Sequence, residues 1–127
     1  MKKTMTVLTA IALAFTCQAY ATPLKPAKCP SPAIIYKSPF TLINARLEGS
    51  LWTVLGNSDN QYGTADHWFF MVTRINAFTR QKAFELAVAS LSSLGNPQGP
   101  TYSESNARWA CQYITAQGYY AYAMTPL

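Results

Sequence analysis

The chain has 127 residues, of which 50% are hydrophobic and 12% are charged, and its formal net charge is +5. This length suits one ordinary domain, and so apolar and aromatic a composition excludes an intrinsically disordered chain. The basic residues are scattered, so the sequence lacks the basic stripe that nucleic-acid binding requires. Composition therefore predicts one hydrophobic core and no nucleic-acid partner.

Residues 1–21 have the pattern of a cleavable secretory signal. Two lysines at positions 2 and 3 precede an apolar run over residues 7–17, and Ala19 and Ala21 are small residues suited to a cleavage site. The run is about half of the roughly 20 residues that a spanning helix needs, so no stable membrane anchor is expected. The sequence predicts export to the periplasm, or further as a secreted protein, with Thr22 as the first mature residue.

Two cysteines remain once Cys17 leaves with the signal. Cys29 and Cys111 are expected to form a disulfide, because exported proteins usually oxidise such a pair. A redox-active pair would instead lie in a Cys-X-X-Cys motif. Residues 22–28 are rich in proline and lysine and are predicted to be a flexible leader, so residues 29–127 form a single disulfide-stapled domain.

The first half of that domain is predicted to contain a short helix and two strands. Ser31 and Pro32 favour a helix start, which places the short helix over residues 33–37. Residues 40–48 suit either a strand or a turn. Strands are predicted over Leu51–Leu55 and His67–Ile75, and simple alternation places Phe69, Met71, Thr73 and Ile75 on one face of the second strand.

The second half is predicted to contain the main helix and a hairpin. Thr79 is the expected N-cap and Gly95 the expected C-cap, with apolar residues at positions 84, 87, 88, 91 and 94 between them. Residues 96–105 are predicted to be a loop. Strands over residues 107–115 and 119–125 join around Gly118.

This order of elements predicts an α+β fold. We expect a single small domain with an antiparallel sheet of about four to five strands. One main helix packs on one face of that sheet, and a short N-terminal helix precedes it.

Catalytic and metal-binding patterns are weak in this sequence. His67 is the single histidine, and Asp66 beside it would point to the opposite face of a strand. The oxygen-bearing residues at positions 57, 59, 60 and 66 lack the spacing of a calcium loop, and zinc would need more histidine or thiolate ligands. We therefore predict no catalytic residue, no metal and no cofactor, and expect that the protein is not an enzyme.

Aromatic residues on the strands are the strongest functional signal. Tyr120 and Tyr122 alternate with Ala121 and Ala123, so the tyrosines share one face of the last strand. Tyrosine and tryptophan are enriched at protein interfaces, so the predicted partner-binding residues are Trp52, Trp68, Tyr120 and Tyr122. The alternative is a sheet that is covered on both faces within one subunit. Excess aromatic surface also favours a homo-oligomer.

Several short motifs give the chain a resemblance to a known family. They are Cys29-Pro30-Ser31, Ala33-Ile34, Leu51-Trp52-Thr53-Val54, Leu91-Ser92-Ser93-Leu94, Trp109-Ala110-Cys111-Gln112-Tyr113, Gly118-Tyr119 and Ala121-Tyr122-Ala123-Met124-Thr125-Pro126. These motifs resemble the EirA family of small periplasmic proteins, which are associated with the Dot/Icm type IV secretion system of intracellular gammaproteobacteria. The resemblance implies a periplasmic, non-enzymatic homo-oligomer that supports effector secretion and virulence, with secretion-machine components as partners.

The main hypothesis is a non-enzymatic periplasmic accessory or binding protein that acts by protein–protein contact. Two alternatives belong to other classes. One is a periplasmic inhibitor of an envelope-targeting enzyme such as lysozyme, which predicts tight one-to-one binding to that enzyme. The other is a small secreted hydrolase that uses His67, in which substitution of His67 by glutamine would abolish activity.

Overall fold

The computed structural model describes residues 23–39, 41–57 and 60–126. The predicted signal peptide lies outside these ranges, and no helix within them is long and apolar enough to cross a membrane. The elements in chain order are helix α1 (Pro32–Lys37), strands β1 (Asn44–Glu48), β2 (Leu51–Leu55) and β3 (Phe69–Ile75), helix α2 (Arg80–Ser90), a 3-10 turn (Leu91–Ser93), and strands β4 (Gln98–Ser103), β5 (Arg108–Ile114) and β6 (Tyr120–Met124).

The strands form one antiparallel sheet in the order β1-β2-β3-β6-β5-β4. The predicted α+β fold is confirmed, with six strands where four to five were expected. The ambiguous segment at residues 40–48 contains β1. The predicted loop at residues 96–105 contains β4, so that prediction is wrong. Pro100 is tolerated in β4 because β4 is an edge strand, where one side of the backbone needs no partner.

The predicted hairpin between β5 and β6 is confirmed. Gly118 has a φ of +84°, a left-handed conformation that glycine adopts without a steric penalty. The Gly118 amide donates to the Thr115 carbonyl at 3.0 Å, and the Thr115 amide donates to the Tyr119 carbonyl at 3.0 Å. This turn fixes the register that pairs Gln112 with Tyr122.

A bulge near the end of β3 reverses the expected alternation there. Trp52 pairs with Ile75 and Val54 pairs with Val72, so β3 contains one more residue than β2 between the two pairs. Arg74 lies in the bulge with a φ of +63°. The extra residue moves Ile75 to the same face as Val72, so its predicted place beside Met71 is wrong.

Helix α2 begins as predicted and ends earlier than predicted. The Thr79 hydroxyl accepts a hydrogen bond from the Lys82 amide at 3.1 Å, which confirms Thr79 as the N-cap. The helix ends at Ser90 and continues as the 3-10 turn, so the expected C-cap at Gly95 is wrong. The Gly95 amide instead donates to the Ile114 carbonyl at 2.9 Å, and this bond ties the segment to β5.

Replacement of Thr79 by alanine should lower the free energy of unfolding by about 1 kcal/mol, because the Lys82 amide loses its acceptor. Chemical denaturation of the mature chain measures this loss. Thr79→Ser retains a hydroxyl acceptor and is the control, so it should stay near the wild-type value. Equal losses in the two variants would contradict a capping role.

The core lies between one face of the sheet and the two helices. Trp68, Phe70, Ile75, Tyr113 and Ile35 are among its largest fully buried side chains. The rings of Phe70 and Tyr113 meet edge to face with centroids 5.7 Å apart. The Tyr113 hydroxyl donates to the Pro30 carbonyl at 2.6 Å and thereby holds the segment before α1 against β5.

The disulfide lies at the same end of the core. Cys29 and Cys111 are bonded, with their Cα atoms 5.9 Å apart, which confirms the predicted pair. The preceding residues 23–28 contain neither helix nor strand. They lie against Trp109, whose indole N–H donates to the Pro23 carbonyl at 2.9 Å, and the Lys25 ammonium lies 5.8 Å from the Trp109 ring centroid.

Candidate functional site

The two faces of the sheet differ in what covers them. Helix α2 packs against β1, β2 and β3 on one face. No described helix packs on the opposite face, which we call the open face. Strand register assigns to it Asn44, Arg46, Glu48, Leu51, Thr53, Leu55, Phe69, Met71, Thr73, Arg108, Ala110, Gln112, Ile114, Tyr120, Tyr122 and Met124.

Partial exposure is common to the aromatic and methionine side chains of the open face. In β3 and β6, Phe69, Met71, Tyr122 and Met124 are all intermediate between buried and exposed. Met71 pairs with Tyr122 and Phe69 pairs with Met124, so their side chains form a continuous patch across the centre of the sheet. Among the described residues, only one face of the sheet is covered by a helix, so the alternative of a sheet covered on both faces is not observed.

Tyr120 and Tyr122 lie on the open face, as the alternation in β6 predicted. The Arg74 guanidinium carbon lies 4.8 Å from the Tyr120 ring centroid, which is a cation–π contact. The Tyr122 hydroxyl accepts a hydrogen bond from the Gln112 side-chain amide at 3.3 Å. Both tyrosines are therefore held in place by neighbours and accessible to a partner.

Trp68 lies in the core and not on the surface. Its side chain is fully buried, and its indole N–H donates to the Thr64 hydroxyl at 2.8 Å. The prediction of Trp68 as a contact residue is wrong. Trp68 alternates with Phe70 and Val72, which are also fully buried. Because the predicted strand is apolar on both faces, the sequence did not determine which face lies in the core.

Trp52 is separated from the two tyrosines by the sheet itself. Along β2, Trp52 and Val54 lie on the helix-covered face, and Thr53 and Leu55 lie on the open face. The Trp52 indole N–H donates to the Ala77 carbonyl at 2.9 Å, and its ring is half-buried against the core. Trp52 and the tyrosines therefore do not form one surface.

Two pockets indent the open face on either side of β6. The polar pocket, of about 260 Å³, is lined by Gln98, Thr101, Tyr102, Ser103, Ala110, Gln112 and Tyr122. The arginine pocket, of about 350 Å³, is lined by Arg46, Leu55, Phe69, Met71, Asn106, Arg108 and Met124. Apart from Asn106 in the β4–β5 turn, both are lined by strand residues. Tyr122 lines the polar pocket and Met124 the arginine pocket, so both pockets belong to the open face.

The arginines of the open face were not identified from the sequence. Arg46, Arg74 and Arg108 are far apart along the chain and read there as scattered charges. The sheet brings them around one apolar patch, with Arg74 beside Tyr120 and the Arg108 guanidinium carbon 5.1 Å from the Phe69 ring centroid. Alternation within β1 and β5 was the one local signal that could have indicated a shared face for Arg46 and Arg108. It gives no such signal for Arg74, which lies in the bulge of β3.

The candidate catalytic histidine has an exposed position. His67 lies between Asp66 and the buried Trp68, and among the described residues no serine or carboxylate forms a hydrogen bond with its imidazole. In the same part of the chain, no group of three or more histidine, cysteine, aspartate or glutamate side chains is placed to hold a metal ion.

Shifted pKa values occur at two core tyrosines. Burial raises the pKa of the Tyr113 hydroxyl, and Tyr62 nearby raises it further. Burial also raises the pKa of Tyr62, against hydrogen bonds with Thr41 and Asn60 that lower it. Neither tyrosine lines either pocket. Both shifts therefore follow from packing, and both hydroxyls stay protonated at neutral pH.

Comparison of the chain with protein-family models, curated proteins and solved structures finds no match. The physical features of the molecule that bear on function are therefore the open face, its two pockets and the disulfide opposite them.

Proposed function

We propose that the protein is a non-enzymatic periplasmic accessory or binding protein that acts by protein–protein contact through the open face. The observation that carries this proposal is the open face, on which no described helix packs. Its side chains Phe69, Met71, Tyr120, Tyr122 and Met124 remain partly exposed. Aromatic, methionine and arginine side chains are the types enriched in protein interfaces. A partner that covers this face would bury apolar surface that the described fold leaves in contact with water.

The periplasmic location is supported by the N-terminal pattern and by the disulfide. Residues 1–21 have the charged start, apolar run and small terminal residues of a secretory signal. A disulfide between Cys29 and Cys111 persists in an oxidising compartment and is rare in the cytosol. These features agree with a protein that functions in the periplasm or is secreted from it.

The resemblance to the EirA family supplies the finer proposal. On that basis the partners are components of a type IV secretion machine, and the protein supports the secretion of effectors and thereby virulence. The open face then serves either the contact with the machine or the self-association of the chain. Tyr120 and Tyr122 are central to both uses because they lie on β6, one of the two central strands of the sheet.

Replacement of both Tyr120 and Tyr122 by serine should abolish the partner or homo-oligomer contact and leave the domain folded. Each side chain is only partly buried, so we expect a loss of about 1 kcal/mol or less per position in the free energy of unfolding. Crosslinking of the tagged mature protein in the native envelope, followed by identification of the captured proteins, measures the contact. Light scattering of the purified protein measures the oligomeric state.

Tyr36→Ser is the matched control, because Tyr36 is 55% exposed on α1, outside the open face. It should retain both the crosslinked species and the oligomeric state. An unchanged assembly in the Tyr120→Ser/Tyr122→Ser variant would reject the open face as the contact surface. Capture of one envelope-targeting enzyme at one-to-one stoichiometry would replace the accessory function by the inhibitor alternative.

A further inference from the structure

We infer that the open face recognises an acidic protein segment, whose carboxylates pair with Arg46 and Arg108 while an apolar side chain fills the arginine pocket between them. This inference rests on the proposed contact function and specifies the chemistry of the partner. It follows from the position, the packing and the charge balance of the arginines.

The arginine pocket has an apolar floor and a cationic border. Leu55, Phe69, Met71 and Met124 come from the three adjacent strands β2, β3 and β6 and form the floor. The two arginines belong to β1 and β5, which are four strand spacings apart in the sheet order, or about 19 Å. The guanidinium groups therefore border the pocket from opposite sides and leave space for a side chain between them.

Stacking prepares Arg108 to bind a carboxylate. Its guanidinium carbon lies 5.1 Å from the Phe69 ring centroid, and its Nε donates to the Asn106 carbonyl at 3.3 Å. A guanidinium that stacks on an aromatic ring keeps its in-plane N–H groups available, and these match the two oxygens of a carboxylate. The ring also restricts the side chain before binding, which reduces the entropy lost on association.

Arg46 is held by a contact that a partner can replace. Its Nε lies 2.7 Å from a carboxylate oxygen of Glu48, and the two side chains are 63% and 51% exposed. Exposed ion pairs contribute little to stability. Exchange of Glu48 for a partner carboxylate therefore costs little ion-pair stability.

The charge balance of the open face favours an acidic partner. Arg46, Arg74 and Arg108 lie on it together with one carboxylate, that of Glu48. The other described carboxylates are Asp66 in a loop, Glu85 in α2 and Glu104 in the β4–β5 turn, and none of them lines the arginine pocket. Charge complementarity at an interface increases both association rate and selectivity.

The apolar floor selects a peptide segment over a nucleic acid. Three arginines separated by methionine and aromatic side chains do not follow the closely spaced phosphates of a nucleic-acid backbone. A peptide that carries glutamate or aspartate near a leucine or phenylalanine matches both parts of the site. The expected ligand is thus an acidic segment with an apolar anchor residue.

The test uses a synthetic peptide in which glutamate and leucine alternate with serine, and a second peptide in which glutamine replaces each glutamate. Each is titrated into the isotopically labelled mature chain, and methyl signals of Met71 and Met124 report on the pocket. The glutamate peptide should shift these signals, and added salt should weaken its binding. The Arg46→Gln/Arg108→Gln variant should raise the Kd about tenfold or more.

A matched control removes the same charge elsewhere. Lys37 and Lys82 are exposed on α1 and α2, so the Lys37→Gln/Lys82→Gln variant should bind the glutamate peptide like the wild type. Three results would overturn the inference. The two double variants could weaken binding of the glutamate peptide equally, the glutamine peptide could bind as tightly as the glutamate peptide, or the glutamate peptide could fail to bind. Binding only to phosphatidylglycerol vesicles, lost in the arginine variant, would overturn it in favour of a lipid surface.

Envelope crosslinking separates this inference from the proposed function. If the tyrosine variant loses its crosslinked partner while Arg46→Gln/Arg108→Gln retains it, the contact function stands and the acidic-segment inference fails. If both variants retain the partner, both proposals fail. Loss of the partner in both variants, with retention in the Lys37→Gln/Lys82→Gln control, is the expected result.

Discussion

Replacement of Cys29 and Cys111 by alanine is expected to lower the free energy of unfolding of the mature chain by about 4.5 kcal/mol. The disulfide links residues separated by 82 positions, and the chain-entropy model relates that loop length to this loss. A small domain has about 5–15 kcal/mol of stability in total. Loss of the bond therefore removes a large part of what keeps the fold intact.

Urea denaturation of the oxidised wild type, the reduced wild type and the Cys29→Ala/Cys111→Ala variant measures this effect. The reduced wild type should resemble the variant, and reductant should leave the variant unchanged. The reduced wild type also provides the comparison if the variant does not accumulate. A loss below about 1 kcal/mol in both would show that the covalent link contributes little.

Replacement of Trp68 by alanine is expected to lower the free energy of unfolding by about 3–5 kcal/mol, the range for truncation of a buried aromatic side chain. Trp68 is 0% exposed, and its indole N–H donates to the Thr64 hydroxyl. Truncation leaves a cavity in the core and removes one of the hydrogen bonds of the Thr64 hydroxyl, which keeps its bonds to Gln61 and Asp66. Trp68→Phe should lose less, because it retains most of the ring and loses the hydrogen bond.

Tyr122→Ala is the matched comparison for Trp68→Ala, because Tyr122 is an aromatic residue of the open face and is only partly buried. We expect it to change stability by about 1 kcal/mol. Thermal or urea unfolding of both variants under the same conditions compares them directly. Similar losses at the two positions would contradict the division into a covered core face and an open contact face.

The two predictions also separate folding from function. Cys29, Cys111 and Trp68 lie on the helix-covered side, so their variants should lose partner binding only to the extent that the domain unfolds. The Tyr120→Ser/Tyr122→Ser variant should lose the partner while the domain remains folded. A comparison of binding and unfolding in the same variants therefore tests whether the open face is a functional surface.

The sequence by itself determined the elements whose signals are local. The hydroxyl of Thr79 and the φ of Gly118 act within a few residues, so the start of α2 and the β5–β6 hairpin could be predicted. The two-residue period of β6 likewise assigned Tyr120 and Tyr122 to one face before their surroundings were known. Cys29 and Cys111, the two cysteines outside the predicted signal, allowed a single pairing.

Tertiary structure decided the features that depend on contacts between distant segments. β4 contains glycine and proline and becomes a strand because it pairs with β5. The bulge at Arg74 reverses the side on which Ile75 lies. Arg46 and Arg108 border one pocket only because the sheet order places three strands, β2, β3 and β6, between β1 and β5. Local propensity carries no information on which strands become neighbours, and strand neighbours determine which side chains share the open face.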